Sequence, residues 1–393
     1  MLVPRLDSLT MVTLPAELID HVFSFLQTDI PSLKACSKAH PLYSRLAERH
    51  IYAQIVTSEV FKDILENPHL LDYPRTLEIR RFARNPLAIP IVSVIPRMAN
   101  LISLKIQGPC SFSRRYESSS TFFSTFINCI QQSSFQEFHL FHVYDISISF
   151  LDDARNIKQL ALINCTTDRD EQISDSSLSQ LSLDSLILSS NHNPYLYRWV
   201  MRWVTRLTSL ELRDVSLDLD WTGPELLVAC SNSLTRLHLD VTNICMRYLS
   251  RYKSLKFTCL IGYDDELPFT LSALVCLKRL SISAQIIGKE WALPGIIRVV
   301  NTAPIIPNVV LWLDCFLSDS LASLGGLDWS VLDQLQINST GKRPRIDLCV
   351  TGEGYWAEGI LDALAANEAL MDLVRRDLVT LRSERVCPGP SFI

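Results

Sequence analysis

The chain has 393 residues, 42 acidic against 37 basic side chains for a net charge of −5, and 48% hydrophobic residues. That length holds two or three compact domains, or one small domain followed by an elongated one. The acidic balance excludes the basic footprint of a nucleic-acid-binding domain, and the hydrophobic content requires an extensive core.

Arg5, Asp7, Glu17 and Asp20 interrupt any early apolar run, so no secretory leader is expected. Val299 to Leu313 is the most membrane-like stretch, but Asn301, Pro304, Pro307 and Asn308 break it, and it is too short to span a bilayer. The eleven cysteines are scattered from Cys36 to Cys387 with no C-x-x-C pair and no histidine at metal spacing. They read as free thiols of a cytoplasmic or nuclear protein, with no cofactor or metal expected.

The segment Thr13 to Tyr52 predicts three short helices. Pro15 suits a helix start, Glu17 and Asp20 complement the dipole of the first turns, and Pro15, Leu18, Ile19, Val22, Phe23 and Leu26 form one broad apolar stripe. Asp29 can cap a second helix that offers Leu33, Ala35 and Cys36 for packing. Pro41 opens a third, with Tyr43, Leu46, Ala47 and Ile51 on its apolar side. Three helices of this size bury little surface alone, so the unit is expected to lean on a partner.

Leu14-Pro15-x-Glu17-Leu18-Ile19, Val22-Phe23, Leu26, Leu33-Lys34-Ala35-Cys36-Ser37 and Arg49-His50-Ile51-Tyr52 together resemble an F-box of the fungal type. The F-box is the module by which substrate receptors dock onto the adaptor of SCF-type cullin–RING ubiquitin ligases. The resemblance covers residues 13–52. Tyr43 stands where the family usually has Trp, and Lys38-Ala39-His40-Pro41 replaces its usual apolar-then-basic run.

A helical connector is expected over 53–75, around Ser58 to Asn67. Beyond it an L-x-x-L-x-L pattern recurs: Thr76-Leu77-Glu78-Ile79, then segments centred on Leu104, Phe138, Leu160, Leu186, Leu210, Leu237, Leu280 and Leu335. Successive spacings from Leu77 to Leu237 are 27, 34, 22, 26, 24 and 27 residues. The longer gaps to Leu280 and Leu335 leave room for degenerate copies near Leu255 to Leu260 and at Val309 to Leu313. Helical candidates follow several of these segments: Thr121 to Ile130, Tyr195 to Val204, Pro224 to Cys230. A strand and a helix repeated at this period resemble a leucine-rich repeat, in which the leucines of one repeat are buried only by its neighbours. The Asn that closes such repeats is mostly absent; Asn191 is the clearest example, and Cys165 can substitute. Glu353 to Arg385 reads as helical, a cap for the open end of the stack, with Cys387 to Ile393 as a tail.

The expected fold is therefore α/β: an N-terminal three-helix F-box-like module (1–52), a helical connector (53–75), an irregular leucine-rich-repeat solenoid (76–350) and a helical C-terminal cap with tail (351–393). No nucleophile elbow, P-loop, zinc-protease or kinase set is found. His139 and His142, three apart in a strand, point to opposite faces, and Asp152-Asp153 and Asp264-Asp265-Glu266 read as solvated loops. Outward-facing strand residues would supply a protein-binding row: Glu78, Arg80, Lys105, Gln107, His139, Phe141, Glu211, Arg213, His238, Asp240, Trp312, Asp314 and Gln336. Arg80, Lys105, Phe141, Arg213, His238 and Trp312 are the preferred target contacts, since arginine and aromatic side chains dominate interface energies.

The resemblance implies a non-catalytic receptor subunit that binds the adaptor, and through it the cullin, by Leu14, Pro15, Leu18, Ile19 and Val22. The repeat domain would hold the target protein. Neither nucleic acid nor membrane is expected as a partner. A repeat scaffold that never joins a ligase is the competing reading, and an enzyme with an unrecognised site is the third.

Overall fold

The computed structural model describes residues 14–56, 59–80, 90, 93–111, 125, 127–146, 151, 154–167, 181–189, 194–213, 223–240, 270–286, 293–304, 308–315, 324, 327–335, 343–352 and 356–385. Twelve strands form an all-parallel sheet whose order follows the sequence, placing the protein in the α/β class. They are β1 (Gln54–Val56), β2 (Thr76–Ile79), β3 (Ser103–Ser111), β4 (Glu137–Tyr144), β5 (Gln159–Ile163) and β6 (Ser185–Ser189). β7 (Ser209–Arg213), β8 (Arg236–Asp240), β9 (Arg279–Ile286), β10 (Asn308–Cys315), β11 (Arg345–Gly352) and β12 (Val379–Arg385) complete it. Three helices precede the first strand: α1 (Ala16–Phe25), α2 (Ile30–Ala39) and α3 (Pro41–Ile51).

The chain divides into two compact units, Met1–Gly108 with Glu117–Gln136, and Pro109–Tyr116 with Glu137–Ile393. In the first, Ile19 and Phe23 of α1 pack with Leu33, Ala47 and Ile51 into a core flanked by Leu26, Tyr43, Leu46 and Tyr52. Asp29 caps α2 by accepting from the Ser32 amide at 3.2 Å and the Ser32 hydroxyl at 2.6 Å, bonds that hold its carboxyl below the usual carboxylate range. Pro41 begins α3, where the His40 ring accepts from the Leu42 amide at 3.1 Å.

In the second unit, one register carries an apolar ladder across nine strands: Phe138, Leu160, Leu186, Leu210, Leu237, Leu280, Val309, Ile346 and Val379. Every one is buried. Each contributes about 1.5–3 kcal/mol through burial that only its neighbours provide. Threonines tie consecutive strand starts together: the Thr208 hydroxyl donates to the Asp184 carbonyl and the Thr235 hydroxyl to the Thr208 carbonyl, both at 3.0 Å. Cys165, just beyond β5, is buried and its thiol donates to the Leu140 and Ile163 carbonyls at 3.4 Å.

These findings correct two parts of the expected architecture, the separate N-terminal three-helix module and the wholly helical C-terminal cap. The three helices are not a separate module; they share one compact unit with β1 and β2. The physical reason lies at the end of α3. The Ala53 carbonyl accepts from the Arg75 and Thr76 amides at 2.9 and 3.0 Å, and β1 pairs with β2, so the chain passes from helix into sheet within three residues of Ile51. The Tyr52 hydroxyl also donates to Asp63 at 3.4 Å, joining α3 to the helix Glu59–Glu66. The expected helical connector thus holds a strand.

The C-terminal end is corrected too. Helices Trp356–Ala365 and Glu368–Arg375 are followed by β12, so the sheet runs to the last described residues. The helix stops because Asp377 adopts left-handed backbone (φ 57°), with the Leu378 amide donating to the Leu373 carbonyl and the Asp377 amide to Val374, each at 3.0 Å.

The copy expected at 255–260 lies outside the described residues, and β8 pairs directly with β9. Of the copy expected at Leu332 to Ile337, Leu332 lies in a 3-10 helix, Trp329–Gln334, that buries Trp329 and Leu332, and Gln336 and Ile337 lie outside the described residues; β11 is the next described strand. Asn191, Gln336 and residues 386–393 are outside the described residues.

Candidate functional site

Helix α1 carries two different apolar faces. Ile19 and Phe23 turn inward, with Phe23 meeting the rings of Tyr43 and His50 edge-on at 6.3 Å. His50 Nε2 lies 2.9 Å from Asp20 Oδ1, and Nδ1 lies 3.4 Å from the Gln27 amide nitrogen. Nδ1 can accept from that amide only when the ring proton sits on Nε2, facing the Asp20 carboxylate. This clamp fixes α1 on α3.

The other face looks outward. Leu14 is 54% exposed, Leu18 and Val22 52%, and Phe25 74%, and Leu42 at the start of α3 is 41% exposed. Positions 18, 22 and 25 recur at helical spacing within α1, so their side chains line one strip, and Leu14 lies just ahead of the Pro15 N-cap. The His21 ring stands edge-on to Phe25 at 4.9 Å and 74°. Large apolar side chains gathered this way on one surface mark an interaction site, because each keeps most of its hydration cost in the isolated chain.

Leu14, Pro15, Leu18 and Val22, expected from the sequence to make contacts, all lie outside the core, with Pro15 exposed at the helix N-cap. Ile19 requires correction: it is 6% exposed and belongs to the core with Phe23. Phe25 was missed. The signal is the i, i+4, i+7 series from Leu18, masked by the stronger stripe that serves the core.

The expected target row meets two environments. In β2 and β4, burial alternates, and the face opposite the leucines is reachable: Arg80 is exposed, and Lys105 of β3 and Phe141 are half-buried. Arg80 Nε lies 2.6 Å from Glu78 Oε1, and Phe141 sits 6.5 Å from the His139 ring. In β5, β7 and β8 both faces are covered, as is usual in parallel sheets. His238, expected on an open surface, is 2% exposed, and its strand neighbour Glu211 is 3% exposed. Trp312 is half-buried; its indole N–H donates to Ser281 Oγ at 3.0 Å, one strand from His238. The side chains of Asp314 and Gln336 lie outside the described residues.

Burial shapes the charges here. Desolvation, aided by Arg213 and Arg279, pushes the His238 ring down to about 4, so it is neutral at physiological pH. Glu211 is raised by desolvation, which outweighs the opposing pull of Arg213, although Arg213 Nε lies 2.5 Å from Glu211 Oε1. Its second oxygen has no partner among the described residues.

Among the described residues no group of three or more His, Cys, Asp or Glu side chains is gathered to hold a metal ion, and no helix is long and apolar enough to cross a membrane. No protein-family model matches the sequence, and no curated protein matches it significantly.

Proposed function

We propose that the protein is a substrate-recognition subunit of an SCF-type cullin–RING ubiquitin ligase, docking the adaptor through its N-terminal helices and a target protein through the polar face of its sheet. The carrying observation is the outward strip Leu18, Val22 and Phe25 on a helix whose opposite face is already satisfied by the core, with the exposed Leu14 just before its N-cap. The ordered F-box-like residues of 13–52 support the identity of the partner. The mechanism is proximity: a tethered target experiences a high effective concentration of the ubiquitin-conjugating enzyme, and no catalytic group on this chain is needed.

The test is co-purification of the cullin–adaptor pair with the full chain and with a Leu18→Asp/Val22→Asp variant. Both substitutions lie on the exposed strip, so the variant remains folded by circular dichroism. Capture by wild type and loss in the variant is the expected result. Failure of wild type to capture the pair overturns the receptor reading and leaves a ligase-independent interaction scaffold.

A further inference from the structure

The two outer strands of the sheet end it differently. β1 is three residues long. β12 is seven residues long and pairs with β11 in unbroken register up to Arg385, and no strand lies beyond it among the described residues. The Ile346 amide donates to the Leu378 carbonyl at 3.0 Å, which fixes the phase of this parallel ladder. From there the N–H and C=O groups of Thr380 and Arg382 turn toward β11, and those of Val379, Leu381 and Ser383 turn outward. None of the outward groups meets a partner among the described residues.

A sheet edge is usually closed by shortness, proline, a bulge or charge. β12 is long and holds neither proline nor bulge. Its exposed Arg382 is drawn back over the sheet, 4.0 Å from Asp347 of β11, and Glu384 and Arg385 at its far end are opposite in sign. The apolar row behind the strand is also left unfinished. Leu348 of β11 is fully buried, yet its register partner Leu381 is only half-buried. An added strand would satisfy the backbone and cover that leucine together.

The strand's own sequence points to the occupant. Antiparallel pairing with a second copy, about a two-fold through Leu381, sets Leu381 against Leu381 of that copy, Val379 against Ser383 and Thr380 against Arg382. Residues with outward backbone groups then face one another, for about six hydrogen bonds. No like charges are opposed. Moving the two-fold to Arg382 opposes two guanidinium groups, and moving it to Ser383 sets Leu381 against Arg385. Such pairing also closes, because it consumes both β12 edges at once. Head-to-tail addition would meet only the three residues of β1.

We infer that the β12 edge is a self-association surface, through which two copies of this chain join antiparallel into one continuous sheet. The inference stands apart from the ligase reading.

Sedimentation velocity of the full chain over a dilution series, with amide hydrogen exchange at both ends of the series, tests it. The mass rises with concentration from 44.6 kDa to twice that value. The Leu381 and Ser383 amides exchange slowly only in the concentrated sample, whereas those of Thr380 and Arg382, turned toward β11, are slow in both. Ser383→Pro removes an outward N–H without touching the ladder to β11, so it stays at the mass of one chain, while Ser383→Ala associates as wild type does. Thr380→Arg opposes Arg382 of the second copy but faces Asp347 within its own chain. It therefore weakens association several-fold while keeping the wild-type melting temperature at high dilution. The mass of one chain at every concentration, or undiminished association of Ser383→Pro and Thr380→Arg, overturns the inference. Slow exchange of Leu381 and Ser383 in the dilute sample overturns it as well, and assigns the edge to another segment of the same chain.

Discussion

Replacing Leu18 and Phe25 together by alanine separates a docking face from a structural one. Leu18 is 52% and Phe25 74% exposed, so the folded chain already leaves at least half of each side chain in water. Full burial of such a side chain is worth about 1.5–3 kcal/mol, so each truncation forfeits about 1 kcal/mol of folding stability at most. Alanine's better helix propensity returns about 0.5 kcal/mol at Phe25. The double variant is therefore expected to melt within a few degrees of wild type, at about 2–4 °C per kcal/mol for a unit of this size. Phe23→Ala is the internal control. Phe23 is 4% exposed on the opposite face of the same helix, and its loss costs about 3–5 kcal/mol of stability. In the adaptor complex the ranking inverts: each anchor on the outer strip is worth about 2 kcal/mol or more, so the double variant loses roughly a thousandfold in affinity. The assays are thermal melting of the free chain and surface plasmon resonance against the cullin–adaptor pair. A double variant that melts as low as Phe23→Ala, or that binds the adaptor as wild type does, refutes the reasoning.

His238 gives the chain an acid-sensitive centre. Its folded value, about 4, lies below the ordinary 6.5, so the unfolded state binds protons first and stability falls as pH drops from about 6.5 to 4. Glu211, raised in the folded state, acts with the opposite sign: it costs stability as pH rises through and above the ordinary carboxylate range. Urea titrations should therefore show His238→Gln flattening the profile between pH 6.5 and 4, and Glu211→Gln gaining relative to wild type as pH rises to 7. Cys129 and Cys230 are pushed up to about 12 by burial, so native maleimide labelling followed by peptide mass mapping should modify Cys36 and Cys276 well before either of them. Asp377→Val places a β-branched residue in left-handed backbone and should cost about 1–2 kcal/mol, read from the urea midpoint.

Much of the sheet is legible in the sequence because its ladder is apolar and nearly periodic. Leu77, Leu104, Phe138, Leu160, Leu186, Leu210, Leu237 and Leu280 each sit in a strand at the position their spacing assigns. The degenerate copy expected at Val309 to Leu313 lies in β10, whereas β1, β11 and β12 escape for identifiable reasons. β1 spans only three residues, too short for an alternating pattern. β12 follows a left-handed Asp377 where a glycine would have announced the helix end, and Leu378 and Leu381 continue a plausible helical stripe. Of the Leu332 to Ile337 segment, which has the repeat's spelling, Leu332 lies in the 3-10 helix that buries Trp329, and Gln336 and Ile337 lie outside the described residues. The outward row was only partly readable. Period two says which face His238 and Glu211 occupy, but not that the face is covered in the middle strands. On α1 the same limit applied: Ile19 and Leu18 are adjacent in one apolar stripe, and only the packing of α3 against Phe23 decides which turns inward.

The central claim is that the outer strip of α1 is the adaptor-docking face, and hydroxyl-radical footprinting of the full chain with and without the purified cullin–adaptor pair tests it most directly. In the free chain Leu14, Leu18 and Phe25 should be modified readily and Ile19 and Phe23 slowly, as their exposures require. Adding the pair should protect Leu14, Leu18 and Phe25 strongly while modification of Phe141 and Trp312 on the sheet face stays unchanged. Unaltered labelling of the strip at saturating adaptor, or protection confined to the sheet face, contradicts the account.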